Sequence, residues 1–292
     1  MFAMVQSDAF AENDAGNASS VSTSAFYTSP TTNTNFLICE VTAVSYINGN
    51  VTPPIPSIPS PPTTSGITWL LAAISSVSPS YYDGSYTMVV LSAVYFCANA
   101  PSIGTGTAVI GNVAGSFASS STDLQCCVDI FEASGLGSSV AVNSSVSSVG
   151  IASTVSAGNI VPTATSFIFV GGAAAIGGAS GTPAAGSGFT LTNNAFNAND
   201  DETYSEYIAN ASPTTYTANF ADAGFSVPFA MVAVAFAPVS TPTIIVNGQT
   251  LTIPYELAAY QGATLTGPNA YSCAPPILRG IYSTPIFEHD VP

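Results

Sequence analysis

The residues of this 292-residue chain that could do chemistry are few and widely separated. Two carboxylates flanking one bond hydrolyse glycosides, and clustered oxygens hold hard cations such as calcium. The one acidic cluster, Asp200-Asp201-Glu202 with Glu206, follows an Asn-rich stretch from Asn193 to Asn199 and reads as a solvated loop. A weak calcium site is the sharper alternative, against which the Asp-x-Asp-x-Asp-Gly spacing of a calcium loop is absent. His289, the only histidine, stands between Glu288 and Asp290 in the terminal tail. A Ser-His-acid triad needs its histidine held rigidly, and a tail is a poor place for that. Trp69 and Tyr81-Tyr82 could stack on sugars, but aromatics at strand ends more often plug a core. The expectation is therefore no catalytic residue, no cofactor-binding residue and no metal ligand.

Five cysteines are present: Cys39, Cys97, Cys126, Cys127 and Cys273. None forms a CxxC pair, and with a single histidine no zinc-ligand spacing arises. Most sit in apolar, strand-like runs and read as buried thiols acting as small hydrophobes. Disulfides stay open as an alternative, with one thiol left over. Four N-x-[ST] sequons, at Asn17, Asn50, Asn143 and Asn210, matter if the host glycosylates exported or particle proteins.

Charge excludes several functions. Lys+Arg total 1 and Asp+Glu total 16, giving a formal net charge of −15, and only 6% of residues are charged. An average domain is about 25% charged. A chain with Arg279 as its lone cation cannot neutralise phosphates, which argues against nucleic acid and against anionic membrane surfaces. With 47% hydrophobic residues, disorder is also excluded. The surface must be built from Ser, Thr, Asn, Gly and backbone. It titrates little and offers few sites to proteases that cut after basic residues. These properties suit exposure to a harsh, even acidic, exterior. Yet Met1 to Asp8 has no basic n-region, and Ala9-Phe10-Ala11 mimics a cleavage site without the preceding parts. Export by the usual secretory route is not expected. No apolar run approaches the roughly 20 residues of a membrane helix.

The elements that must carry these residues read almost entirely as strands. Asn35 to Val44, Tyr86 to Phe96, Leu124 to Phe131, Thr165 to Val170, Tyr216 to Phe220, Pro228 to Phe236 and Thr243 to Ile253 are rich in β-branched and apolar residues. Gly, Pro, Asn and Ser clusters bound them, the signature of a sandwich or barrel. The best helix candidate is one or two turns at 254–261. Val51 to Thr64 contains six prolines and reads as a stiff, polyproline-like connector. Gly171 to Gly188 carries seven glycines but neither GxGxxG nor GxxxxGK[ST], so it reads as a flexible loop or as closely packed backbone.

An internal echo relates two parts of the chain. The run from Pro30 to Ile38 matches that from Pro162 to Phe169, and Gln125 to Phe131 matches Ala230 to Phe236. The first pair would open, and the second close, two related halves of one sandwich.

The order of segments carries a resemblance. A Thr/Asn-led strand, Thr34 to Val44, is followed by the turn Gly66-Ile67-Thr68-Trp69. Next come a strand ending Val94-Tyr95-Phe96-Cys97-Ala98-Asn99-Ala100 and one closing Ile130-Phe131-Glu132-Ala133-Ser134-Gly135-Leu136. A Pro-Thr-led strand and a final Ala-Val-Ala-Phe strand complete the set. Over about residues 22–238 this is similar to a β-sandwich domain of virion surface proteins, including phage head and tail fibres. The Pro-rich insertion 51–64 and the tail from 239 depart from it.

The resemblance implies an all-β, jelly-roll-like antiparallel sandwich over 22–238, with an N-terminal arm at 1–21. In 239–292 a hairpin is expected around Asn247-Gly248, followed by an extended, Pro-punctuated apolar tail. That tail either clasps a neighbouring subunit by strand addition or packs back on its own sandwich. The implied role is a non-enzymatic structural protein on a virion surface or otherwise extracellular. It would assemble as a homo-oligomer through sandwich edges and tail, with other virion or cell-surface proteins as further partners. An extracellular filament linked by strand exchange is the alternative, and a carbohydrate-binding module a remote one.

Overall fold

The computed structural model describes residues 1–16, 19–115, 122–135, 140–175, 184–193, 201–221, 226–239, 243–246, 249–252, 263–267 and 270–273. Two compact units result, Met1–Pro238 and Val239–Pro292. Every regular element among the described residues is a β-strand; residues 254–261 lie outside them.

In the first unit the strands fall into two runs. The first holds β1 (Ala3–Gly16), β2 (Ser20–Phe26), β3 (Phe36–Asn48), β4 (Leu70–Ile74), β5 (Tyr81–Tyr82), β6 (Tyr86–Cys97), β7 (Ala108–Ala114) and β8 (Thr122–Ser134). The second holds β9 (Val140–Ala152), β10 (Thr154–Ile160), β11 (Ser166–Ala175), β12 (Thr190–Asn193), β13 (Asp201–Ala211), β14 (Tyr216–Ala221) and β15 (Val227–Pro238).

The two runs are wound alike. The first makes a sheet in the order β1-β8-β3-β6-β4, with β5 beside β6, and a separate pair β2-β7. The second makes a sheet in the order β9-β15-β11-β13-β12 and a separate pair β10-β14. Each half is thus a large sheet with a two-stranded sheet on its outer face, and all ladders are antiparallel.

The large sheets pack face to face. Phe36, Phe96 and Phe131 of the first meet Phe167, Phe169 and Phe236 of the second in one apolar cluster. The rings of Phe36 and Phe236 lie 4.6 Å apart edge-on, and those of Phe131 and Phe169 lie 4.7 Å apart. Strand β4 lies against β9, and β1 against β12 and β13, the arrangement an approximate two-fold axis through β3 and β11 would produce. On the outer faces, Leu37, Val41 and Val128 pack against Val109 and Val113 of β7, and Ile168, Met231 and Ala233 against Val155 and Phe220. The central strands are therefore covered on both sides, and β3 is buried at eleven consecutive positions. That is why their sequences read as unbroken apolar runs instead of alternating ones.

The structure refines the expected sandwich of two related halves over 22–238 with an N-terminal arm at 1–21. Each half has its own large sheet and outer pair, and residues 3–16 are the edge strand β1, paired with β8 from Ala3↔Ser134 to Gly16↔Asp123 with register shifts between Met4 and Gln6 and between Gln6 and Ala9. The polar sequence of β1 carries little strand propensity of its own, and pairing with the apolar β8 supplies what it lacks. The Pro-rich segment runs beside β7. Ser57 and Thr63, residues there that keep an N–H, exchange backbone hydrogen bonds with Ala114 and Ile110 at 2.7–3.0 Å. The six prolines of the segment have no N–H to donate to a sheet.

In the second unit β16 (Thr243–Val246) and β17 (Gln249–Thr252) form the expected hairpin. A further hairpin, β18 (Ala263–Gly267) with β19 (Ala270–Cys273), occupies part of the chain expected as an extended tail.

Candidate functional site

The residues with the most distinctive chemistry lie between the two large sheets. Strand alternation points Phe36, Ile38, Glu40, Thr42 and Val44 of β3 at the second half. Glu40 is directly opposite Asp129 of β8, and Thr42 is opposite both Cys127 of β8 and Ser92 of β6. Glu40, Asp129, Thr42 and Ser92 are buried polar residues, and Cys127 is buried beside them. A direct cross-strand pair has Cβ atoms about 5 Å apart, so two carboxyl groups share one dry site. The hydroxyls of Thr42 and Ser92 have no hydrogen-bond partner.

Burial pushes the Glu40 carboxyl well above its ordinary range, and the Asp129 charge adds to this, against a smaller opposing effect of the Gly172 N–H. The facing strand makes room for the acid. A Cβ on Gly171 would fall on the Glu40 carboxyl and against the Phe169 ring. Aromatic residues close one side of the pair; Val44, Tyr46, Met88, Val90 and the small residues Ala173, Ala175 and Ala230 close the other. Both carboxyl groups are buried between the sheets.

The site occupies one half only. Going inward from the aromatic end, Ile38↔Phe131 is followed two residues later by Glu40↔Asp129. In the second half Phe167↔Phe236 is followed by Phe169↔Val234. Neither that pair nor the next, Gly171↔Val232, holds an acid.

A second buried acid is Glu206 of β13, on the same face as Tyr204 and Ile208. Its Oε2 accepts the Gly186 N–H at 2.8 Å, and burial raises its pKa from 4.5 to about 8. The expected solvated acidic loop is corrected here, because Asp201, Glu202 and Glu206 all lie on β13. Asp200 lies outside the described residues, and no group of three His, Cys, Asp or Glu suited to a metal occurs among those described. Glu132 is buried as a structural hub, accepting the Thr32 N–H at 2.7 Å and the Asn35 amide at 2.6 Å.

The other candidates take structural places. Trp69 is buried in the first half's outer core, and its indole N–H donates to Thr64 at 3.1 Å. Tyr81 packs beside the inter-sheet core, while the exposed Tyr82 hydroxyl donates to the Gly84 carbonyl at 2.6 Å. Cys39, Cys97, Cys126 and Cys127 are free, buried thiols. Asn143 trades hydrogen bonds with Thr163 through both amide atoms, at 2.7 and 2.8 Å, and Asn210 does so with the Phe2 backbone. Asn50 is exposed in a turn. Asn17, Arg279 and His289 lie outside the described residues. An open hollow of about 340 Å³ is lined by Thr63, Thr64, Ser65, Thr107, Ala108 and Ile110, none of them titratable.

Sequence reasoning missed Glu40 and Asp129. The signal was a lone acid inside an otherwise apolar run, Ile38-Cys39-Glu40-Val41 and Val128-Asp129-Ile130. Compared with known proteins, the chain matches no family model, no curated protein and no solved structure.

Proposed function

We propose that each half of the first unit is a jelly roll and that the chain is a non-enzymatic structural subunit of a virion exterior: a spike, fibre, turret or decoration protein. The carrying observation is the winding. In each half the first, last and central strands line up in one sheet, while the second strand and the next-to-last form the opposing layer. This order is similar to that of two Greek keys wrapped into a jelly roll, an architecture of capsid and lectin domains, and supports the reading. Fold alone does not fix a role. The nearly charge-free composition supports an exposed location. Homo-oligomers would form through sheet edges, of which β4 presents the exposed Leu70, Leu71 and Ile74, and through the Val239–Pro292 unit.

Mass spectrometry of purified particles tests this. The chain is expected with capsid proteins and packaged genome; recovery in cell-surface fibres free of nucleic acid would replace the reading with that of a filament subunit. Specific binding on a glycan array would favour a carbohydrate-binding module instead.

A further inference from the structure

We propose that the Pro-rich segment is an acceptor of O-linked sugar, attached at Ser60 and, beside it, at Thr63 or Ser65. The inference uses no feature of the assembly role proposed above.

The course of the segment singles these hydroxyls out. Pro53, Pro56, Pro59 and Pro62 recur at every third position, the period of a polyproline helix. Pro53, Pro56 and Pro62 are buried and Ile58 packs against the outer core of the first half, so this side of the segment is seated on the fold. Ser57, Ser60 and Thr63 follow one another at the same spacing on the next ridge, and all three are exposed. The segment is pinned to β7 at two points, Ser57↔Ala114 and Thr63↔Ile110. Six residue steps of the segment therefore meet four steps of β7. Four strand steps cover about 13 Å, and six polyproline steps would cover about 19 Å. The surplus length bows outward between the pins, and Pro59, Ser60 and Pro61 are all exposed there.

The hydroxyls differ in what they already do. Ser57 donates to the Ala114 carbonyl at 3.1 Å, and Thr64 accepts the Trp69 indole N–H at 3.1 Å. Among the described residues, none bonds to the hydroxyls of Ser60, Thr63 or Ser65. Exposed strand serines such as Ser22 have their backbone committed to a ladder with β7. Around Ser60 the prolines carry no N–H and hold the chain extended, so an enzyme can take up the backbone without unpairing a sheet. Hydroxyls set among prolines are the composition of O-glycosylated segments. Thr63, Thr64 and Ser65 also line the open hollow of about 340 Å³, with Thr107, Ala108 and Ile110. Hollows of this order hold small ligands. Its hydroxyls can both donate to and accept from those of a first sugar, and the exposed Ile110 offers an apolar wall to the C–H face of the ring.

The attachment needs a sugar activated as a phosphate ester and a transferase. The serine or threonine oxygen attacks the anomeric carbon and forms the new C–O bond. The bond from that carbon to the phosphate oxygen breaks, the phosphate leaves with the electron pair, and the hydroxyl proton passes to a base of the transferase.

The test is a peptide map of the protein purified from its natural source. Cutting the denatured chain after aromatic residues releases Ile47–Trp69, which contains the whole segment. This peptide is expected to exceed its sequence mass by whole sugar units, and electron-transfer fragmentation should place them on Ser60, Thr63 or Ser65. Enzymatic removal of N-glycans, which converts a glycosylated Asn50 to Asp, should leave that mass in place. The combined variant Ser60→Ala, Thr63→Ala, Ser65→Ala, produced in the same host, should lose it with an unchanged thermal-unfolding midpoint. A natural-source peptide with every hydroxyl unmodified would overturn the proposal. So would sugar confined to Asn50 or to strand hydroxyls such as Ser22. Both readings come from the wild-type chain and hold even if the variant fails to fold.

Discussion

Asn210 grips Phe2 as a strand partner would. Its Oδ1 accepts the Phe2 N–H at 2.9 Å, and its Nδ2 donates to the Phe2 carbonyl at 3.1 Å. One side chain of β13 thereby fastens the start of the first half to the second. Each such bond contributes about 0.5–1.5 kcal/mol net. Asn210→Ala is expected to lower stability by about 1–2 kcal/mol in urea unfolding, and to raise amide exchange at the start of β1 more than elsewhere.

The same pairing governs modification. A glycan on Nδ2 of Asn210 or Asn143 would replace one of the two hydrogens of a nitrogen that already donates, and would crowd that bond. Expressed in a glycosylating host, the chain should carry sugar at the exposed Asn50 and none at these two; glycopeptide mass spectrometry reads the occupancy.

Gly171 should not tolerate a side chain. A Cβ there meets the Glu40 carboxyl and the Phe169 ring, and overpacking a core costs about 1–3 kcal/mol. Gly171→Ala is expected to destabilise by that amount, and a double-mutant cycle with Glu40→Ala should show coupling between the two positions. Additive effects would place the acid elsewhere.

Glu206 gives a separate pH dependence. Burial raises it from 4.5 to about 8 against the opposing Gly186 N–H. The folded state therefore keeps a proton that the unfolded chain releases. Its contribution is complete below pH 4.5, is lost as pH climbs to about 8, and is flat beyond. Glu206→Gln should flatten the thermal-unfolding profile across that window.

The thiols should be inert in the native protein. Burial pushes Cys126 up to about 12 and Cys39 well above its ordinary value, and the thiolate is the reactive form. A disulfide-exchange reagent is expected to label Cys39, Cys97, Cys126 and Cys127 slowly in buffer and completely in denaturant. Rapid native labelling of Cys39 or Cys126 would contradict the burial.

Much of the fold was legible where apolar runs mark strands covered on both faces. The segments around Ile38, Leu91, Val128, Phe169 and Val232 all became central strands. The echo between Pro30–Ile38 and Pro162–Phe169 falls on β3 and β11, and that between Gln125–Phe131 and Ala230–Phe236 on β8 and β15. These are equivalent places in the repeated sheet order. What escaped were strands such as β1, β9 and β10, whose Ser, Asn, Ala and Gly residues carry little propensity and are ordered by the neighbours they pair with. The acid pair escaped because its members stand 89 positions apart in the chain, and only the β3–β8 register makes them neighbours.

The near two-fold relation of the halves bears on dilution. Self-complementary contacts of this kind are how separate copies ordinarily dimerise, and such dimers fall apart when scarce. With both partners on one polypeptide, the association becomes intramolecular and proceeds at an effective concentration fixed by the linkage, as high as about the millimolar range for short connections. The Phe36–Phe236 contact therefore survives at any protein concentration, down to that of an isolated molecule.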